Sequence, residues 1–143
     1  MSVKEIINNL KKAKKNYQKA IKTGVLATAH EVRNIAVKSI QQVSHGQVVK
    51  AYKQGGNPYN RVVSAAGDAP NADTGRLAQS IAVEMRPSDY KTAHVGTDVK
   101  YSSMLEFGTR SMKARPFLNP ALNQVKKDKL LEKNIKKAAA KVA

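Results

Sequence analysis

The chain has 143 residues, 41% of them hydrophobic, with five Tyr, two Phe, no Trp and no Cys. That length suits one folded domain with a modest core, and the lack of cysteine removes disulfides, thiolate metal sites and a thiol nucleophile together. A formal net charge of +16 calls for a polyanionic neighbour or a partner surface that neutralises it.

The charge sits mainly at the two ends. Residues 1–22 hold seven Lys and one acid, residues 126–143 seven Lys and two acids, and the stretch between twelve basic and seven acidic groups. A basic face or arm built from both termini is expected, with Lys11, Lys12, Lys14, Lys15, Lys126 and Lys127 as candidate contacts for DNA or a partner. The plain alternative is a pair of solvated helix faces. No uninterrupted apolar stretch marks a secretory signal, and no apolar run approaches the roughly 18 residues of a membrane span.

Ile6, Leu10, Ala13, Tyr17, Ile21, Val25, Ala29, Val32, Ile35 or Ala36, and Ile40 recur at spacings of three and four, which predicts one amphipathic helix over residues 3–43. At about 1.5 Å per residue it runs roughly 60 Å, farther than a core of this size can cover. Its Lys-rich first half is expected to project or to pack on another chain, and its second half, "VLATAHEVRNIAVKSI", to enter the core. Gly24 is its one weak position.

Residues 44–70 place two short β-prone runs, "QVVKAYK" and "RVVSAAG", around a Gly/Asn/Pro turn, "QGGNPYN", as in a hairpin or extended loop. Asp73 or Thr74 is the expected N-cap of a short helical turn through Leu77. Ile81, Val83 and Met85 alternate on one face, Pro87-Ser88-Asp89 turns the chain, and Ala93, Val95 and Thr97 alternate on the return, which predicts an antiparallel hairpin. "YSSMLEFGT" reads as two helical turns closed by Gly108 in a left-handed C-cap. Asn119, as N-cap, and Pro120 then start a closing helix that runs to about Lys141. Leu122, Val125, Ile135, Ala138 and Val142 lie near one stripe of it. The elements in chain order are a long N-terminal helix, two hairpins, a short helix and a C-terminal helix. A single domain, 1–143, divides into segments 1–43, 44–70, 71–118 and 119–143.

Reactive chemistry is sparse. His30, His45 and His94 lie far apart, and none has a second His or acid at metal-ligand spacing. Gly55-Gly56 lacks the ending of a phosphate-binding loop, and Ser102 and Ser103 lack elbow glycines. No catalytic residue, metal site or cofactor is expected, and the chain does not read as an enzyme. The stretch "YSSMLEFGTRSMKARPFLNP", residues 101–120, permits a catalytic loop, an anion-binding turn or a structural joint. No His, Cys or second carboxylate is placed to work with Glu106, so the joint is preferred. An anion-binding turn through Arg110, Lys113 and Arg115 stays open. Glu106 in the last turn of its helix opposes the helix dipole, and Arg76, Arg110 or Arg115 is expected to neutralise it. Phe107, Phe117 and Leu118 are expected to fasten both helices to the sheet.

Two motifs in this order carry a resemblance. The first holds Thr74, Gly75, Leu77, Ser80 and Ile81. After a hairpin come Tyr101, Glu106, Phe107, Gly108 and Thr109, and then Pro116, Phe117, Leu118, Pro120 and Ala121. The chain resembles the tailed-phage neck proteins, or head–tail connectors, typified by the gene-ten product of phage Hong Kong ninety-seven. The resemblance implies an α+β fold, with a long N-terminal helix packed on a small antiparallel sheet, a short helix and a C-terminal helix. It also implies a structural virion protein assembled in the host cytoplasm, with its motif residues structural rather than catalytic. It implies a sixfold or twelvefold ring that joins head to tail and lets DNA pass. Portal, adaptor, head-completion and tail-terminator proteins would be its partners, with non-specific contact to genomic DNA and none to membrane. The long basic termini depart from the family pattern. The competing reading is a free basic protein that binds DNA without sequence preference, although no recognition motif is present and few aromatics are available for stacking.

Overall fold

The computed structural model describes residues 1–72 and 74–142, so Asp73, one of the two expected caps, lies outside the described residues. It is a mixed α+β arrangement of five helices and two two-stranded sheets among the described residues. Helix α1 spans Val3–Gln41, about 58 Å at the usual rise per residue. Its start is held by a reciprocal pair: Ser2 N–H donates to Glu5 Oε2 at 2.6 Å, and Glu5 N–H donates to Ser2 Oγ at 3.3 Å. This is a capping box, which satisfies two of the donors left free at a helix start.

Strands β1 (Val48–Tyr52) and β2 (Pro58–Val62) pair antiparallel from Val48↔Val62 to Tyr52↔Pro58. The second strand therefore begins at Pro58, inside the stretch expected to turn, and the turn is residues 53–57. Proline is tolerated there because it occupies the terminal pair of a two-stranded ladder. Helix α2 (Arg76–Ser80) follows Gly75, which takes φ 73° at the N-cap position. Among the described residues no side chain caps it in the expected way, although Thr74 Oγ1 accepts the Arg76 N–H at 3.4 Å. Strands β3 (Ala82–Glu84) and β4 (His94–Gly96) form the second hairpin, and α3 covers Ser102–Phe107.

The closing helix is two helices, not one: α4 (Leu118–Lys127) and α5 (Leu130–Val142), parted at Lys129 with φ 51°. The reason is geometric. On one continuous helix Val125 and Ala138 would stand about 140° apart, yet both are buried, and the break lets each point inward. The helix also starts at Leu118, two residues before Pro120. The side chain of Asn119 is not its cap.

The chain divides into two compact units, through both of which α1 passes. The first contains residues 1–31 and 83–95 and the stretch from Gln124 onward. Here α1 and α5 meet closely: a Cβ on Gly24 would lie 2.6 Å from Ile135 Cγ1 and 2.7 Å from its Cα. Asn134 Nδ2 donates to Thr28 Oγ1 at 3.1 Å, and that hydroxyl donates to Gly24 O at 2.8 Å. Ala20 and Ala138 are buried in this unit. Gly24 is thus a point of close approach between helices rather than a mere weak spot.

The second unit contains residues 32–82 and 96–123. Its core is Val32, Ala36 and Ile40 of α1 with Leu77, Ala78, Ile81, Val99, Phe117 and Ala121. Arg33 Nε donates to Ile81 O at 2.7 Å. Ser44 fastens the base of the first hairpin: its N–H donates to Asn71 Oδ1, its hydroxyl donates to Asp68 Oδ2, and that hydroxyl accepts the Ala65 N–H.

Candidate interaction surfaces and the joint at Glu106

Glu106 lies in the last turn of α3 and is only 7% exposed. Burial of a carboxylate demands partners, and the expected arginine is not the one it takes. Its Oε2 accepts the N–H groups of Phe117 at 2.8 Å and Leu118 at 3.0 Å, and its Oε1 accepts that of Asn119 at 2.8 Å. These are the donors at the start of α4, where the helix carries a partial positive charge. Glu106 therefore caps a helix from eleven to thirteen residues away, and so ties the end of α3 to the beginning of α4.

The intervening loop is closed by further bonds. Gly108 has φ 76° and ψ 179°, a positive-φ extended conformation rather than the left-handed helical cap that was expected. The Thr109 N–H donates to Met112 O at 2.8 Å, and the Met112 N–H returns to Thr109 Oγ1 at 3.1 Å. The Arg115 N–H donates to Leu105 O at 2.7 Å, and Arg115 Nε donates to Ser64 O at 3.0 Å. Arg115 is engaged with backbone, and the adjacent helix start is filled by Glu106. Of the readings open for residues 101–120, the joint is the one this geometry fits.

Phe107 corrects another expectation. It is 75% exposed and fastens nothing, whereas Phe117 is fully buried and Leu118 partly so. On α3, Glu106 takes the inward place. Tyr101 and Met104 are exposed as well, so α3 presents an aromatic and thioether face outward. Tyr101 and Leu105 also border an open groove of 460 Å³ in the second unit, with Thr74, Gly75, Arg76 and Leu77 on its wall. Leu77 is buried and Pro116 half-buried. The motif residues Thr74 to Leu77 and Tyr101 to Phe117 are thus brought into one unit, where Gly75 and Gly108 set turns and Glu106 and Phe117 hold the joint.

The lysines form the other surface. Every residue from Met1 to Lys15 is exposed, so Lys11, Lys12, Lys14 and Lys15 stand free of packing on α1. Lys126 and Lys127 are exposed in the last turn of α4, where cations suit the helix dipole. The large apolar groups Val3, Ile6, Ile7, Leu10 and Tyr17 share the exposed stretch of α1. Among the described residues no three His, Asp or Glu side chains gather in a metal-holding group, and no helix is long and apolar enough to cross a membrane.

A family model, described as "Bacteriophage HK97-gp10, putative tail-component", matches residues 4–108. The match takes in α1, both hairpins, α2 and α3 with Glu106, and ends before Pro116–Ala121 and the basic α5. No curated protein and no solved structure matches the chain. With most of its length matched, the chain belongs to the HK97-gp10-like family of bacteriophage tail components.

Proposed function

We propose that this chain is a structural protein of the virion neck, forming a sixfold or twelvefold ring that joins the head to the tail and lets DNA pass. The observation that carries the reading is the first fifteen residues, a capped helical segment that is basic and wholly exposed, in a chain of a phage tail-component family. A segment that is ordered but uncovered suits contact with other virion components. B-DNA carries a charge about every 1.7 Å of its axis, so a ring of basic segments can hold it without reading sequence. Portal, adaptor, head-completion and tail-terminator proteins are the neighbours such a ring would meet, with assembly in the host cytoplasm. On this reading the chain performs no catalysis and needs no cofactor, and residues 1–143 work as one structural piece.

Light scattering of the purified protein, alone and mixed with tails, tests this. The expected result is a closed oligomer, or incorporation into tails. A persistent monomer that binds duplex DNA tightly at physiological salt would favour a free DNA-binding protein instead.

A further inference from the structure

The first half of α1 carries a seam at strict three–four spacing: Val3, Ile7, Leu10, Lys14, Tyr17. That is the heptad pattern of a helix that packs lengthwise on another helix, with one lysine in a seam position. The seam continues through Ile21 and Gly24 to Thr28, and at Gly24 and Thr28 it is covered by Ile135 and Asn134 of α5. Toward the N-terminus no described residue covers it. Leu10 is 65% and Tyr17 73% exposed. Lys4 and Lys11, one heptad apart, stand beside the seam on one flank, where the pairing charges of coiled helices sit.

Charge decides what can cover this face. A second copy would set Lys14 into a seam that already holds a Lys14, and would bring together two segments with seven Lys and one acid each. The whole chain has 10 acids against 26 basic groups, so a second copy adds net positive charge rather than compensating it. DNA would engage the lysines on the opposite side and leave Leu10 and Tyr17 in water. A lipid surface would have to take Lys14 within the apolar face. We infer that the Val3–Tyr17 seam docks lengthwise on an acidic amphipathic helix of a different virion protein, which sets a carboxylate against Lys14 and others against Lys4 and Lys11. Apolar burial supplies the attraction, and the lysine in the seam selects the partner and its register. This inference rests on the chain being a virion component.

Site-specific photo-cross-linking in intact virions tests it. Benzoylphenylalanine replaces Leu10 in one preparation and Tyr17 in a second, with Lys12 on the opposite face as control. The expected result is an adduct from Leu10 or Tyr17 to one other virion protein, within a captured peptide of net negative charge. Lys12 gives no such adduct, and Lys14→Glu lowers the yield at least tenfold. An adduct to a second copy of this chain or to DNA overturns the inference, as does no adduct from either position in virions that contain the chain. So does binding of the purified protein to phosphatidylglycerol vesicles that Leu10→Asp abolishes. Absence of the chain from virions is a different failure, because it removes the neck reading itself.

Discussion

Glu106 Oε2 accepts the backbone N–H of Phe117 at 2.8 Å, and the same carboxylate holds the next two N–H groups of the helix start. Truncation to Ala strands three donors near a buried aromatic. Each hydrogen bond to a charged group contributes about 1.5–3 kcal/mol, and a shared set is not additive. Glu106→Ala is therefore expected to cost about 3 kcal/mol, and Glu106→Gln, which keeps one acceptor oxygen, about half of that. Urea unfolding measures both. Arg76→Ala and Arg110→Ala should shift the midpoint little. A loss from either as large as that of Glu106→Ala would restore an arginine as the partner.

Gly24→Ala improves helix propensity by about 1 kcal/mol, so an isolated helix would gain from it. Here the new methyl meets Ile135, including its Cα at 2.7 Å. Overpacking of this kind costs about 1–3 kcal/mol, and the net expectation is a loss of stability with α5 loosened from α1. Hydrogen exchange should rise across α5. A second change, Ile135→Ala, should rescue only in part, because backbone atoms remain in the way. A stabilised Gly24→Ala protein would contradict the close approach.

Asp89 Oδ1 accepts the N–H groups of Lys91 at 2.8 Å and Thr92 at 3.2 Å in the turn between β3 and β4. The bond from Lys91, followed by those from Thr92, holds its carboxyl below the ordinary 3.8. A depressed folded pKa means that the contribution is present above the unfolded value and is lost as pH falls through the folded one. The amide signals of Lys91 and Thr92 should therefore titrate with a midpoint under 3.8, and Asp89→Asn should remove that step together with the small stabilisation that the ionised carboxyl gives at neutral pH. A midpoint at or above the ordinary value would contradict the turn geometry.

Binding of the purified protein to duplex DNA is expected to be independent of sequence and steeply salt-dependent. Each phosphate contact adds about 0.9 to the slope of log affinity against log salt. Changing Lys12 and Lys15 to Gln should flatten that slope by up to about 1.8 if each meets a phosphate. Fluorescence anisotropy over a salt series reads it. An unchanged slope would remove these lysines from the DNA surface.

The long helix was legible because its apolar groups recur at three and four without proline, whereas the capping box at Ser2 and Glu5 emerged only from the structure. Both hairpins were legible from turn residues and alternation, although Pro58 looked like turn and proved to be strand. The break at Lys129 was hidden, since "KKDKLL" has neither Gly nor Pro, and only the rotation of the apolar stripe between Val125 and Ala138 betrays it. The joint at 101–120 was recognisable, but not its mechanism. Glu106 finds backbone donors, which leave no mark in side-chain identity, so charge arithmetic pointed to arginines. The inward place it occupies is also why Phe107, beside it, faces water.

The most direct test of the neck reading is a quantitative count of this chain in purified virions, with cryo-electron microscopy of the head–tail junction. The predicted result is a fixed copy number of six or twelve, with density for the chain in a ring at the neck. Its absence from virions, or a variable number of copies released with the DNA, would contradict a structural role.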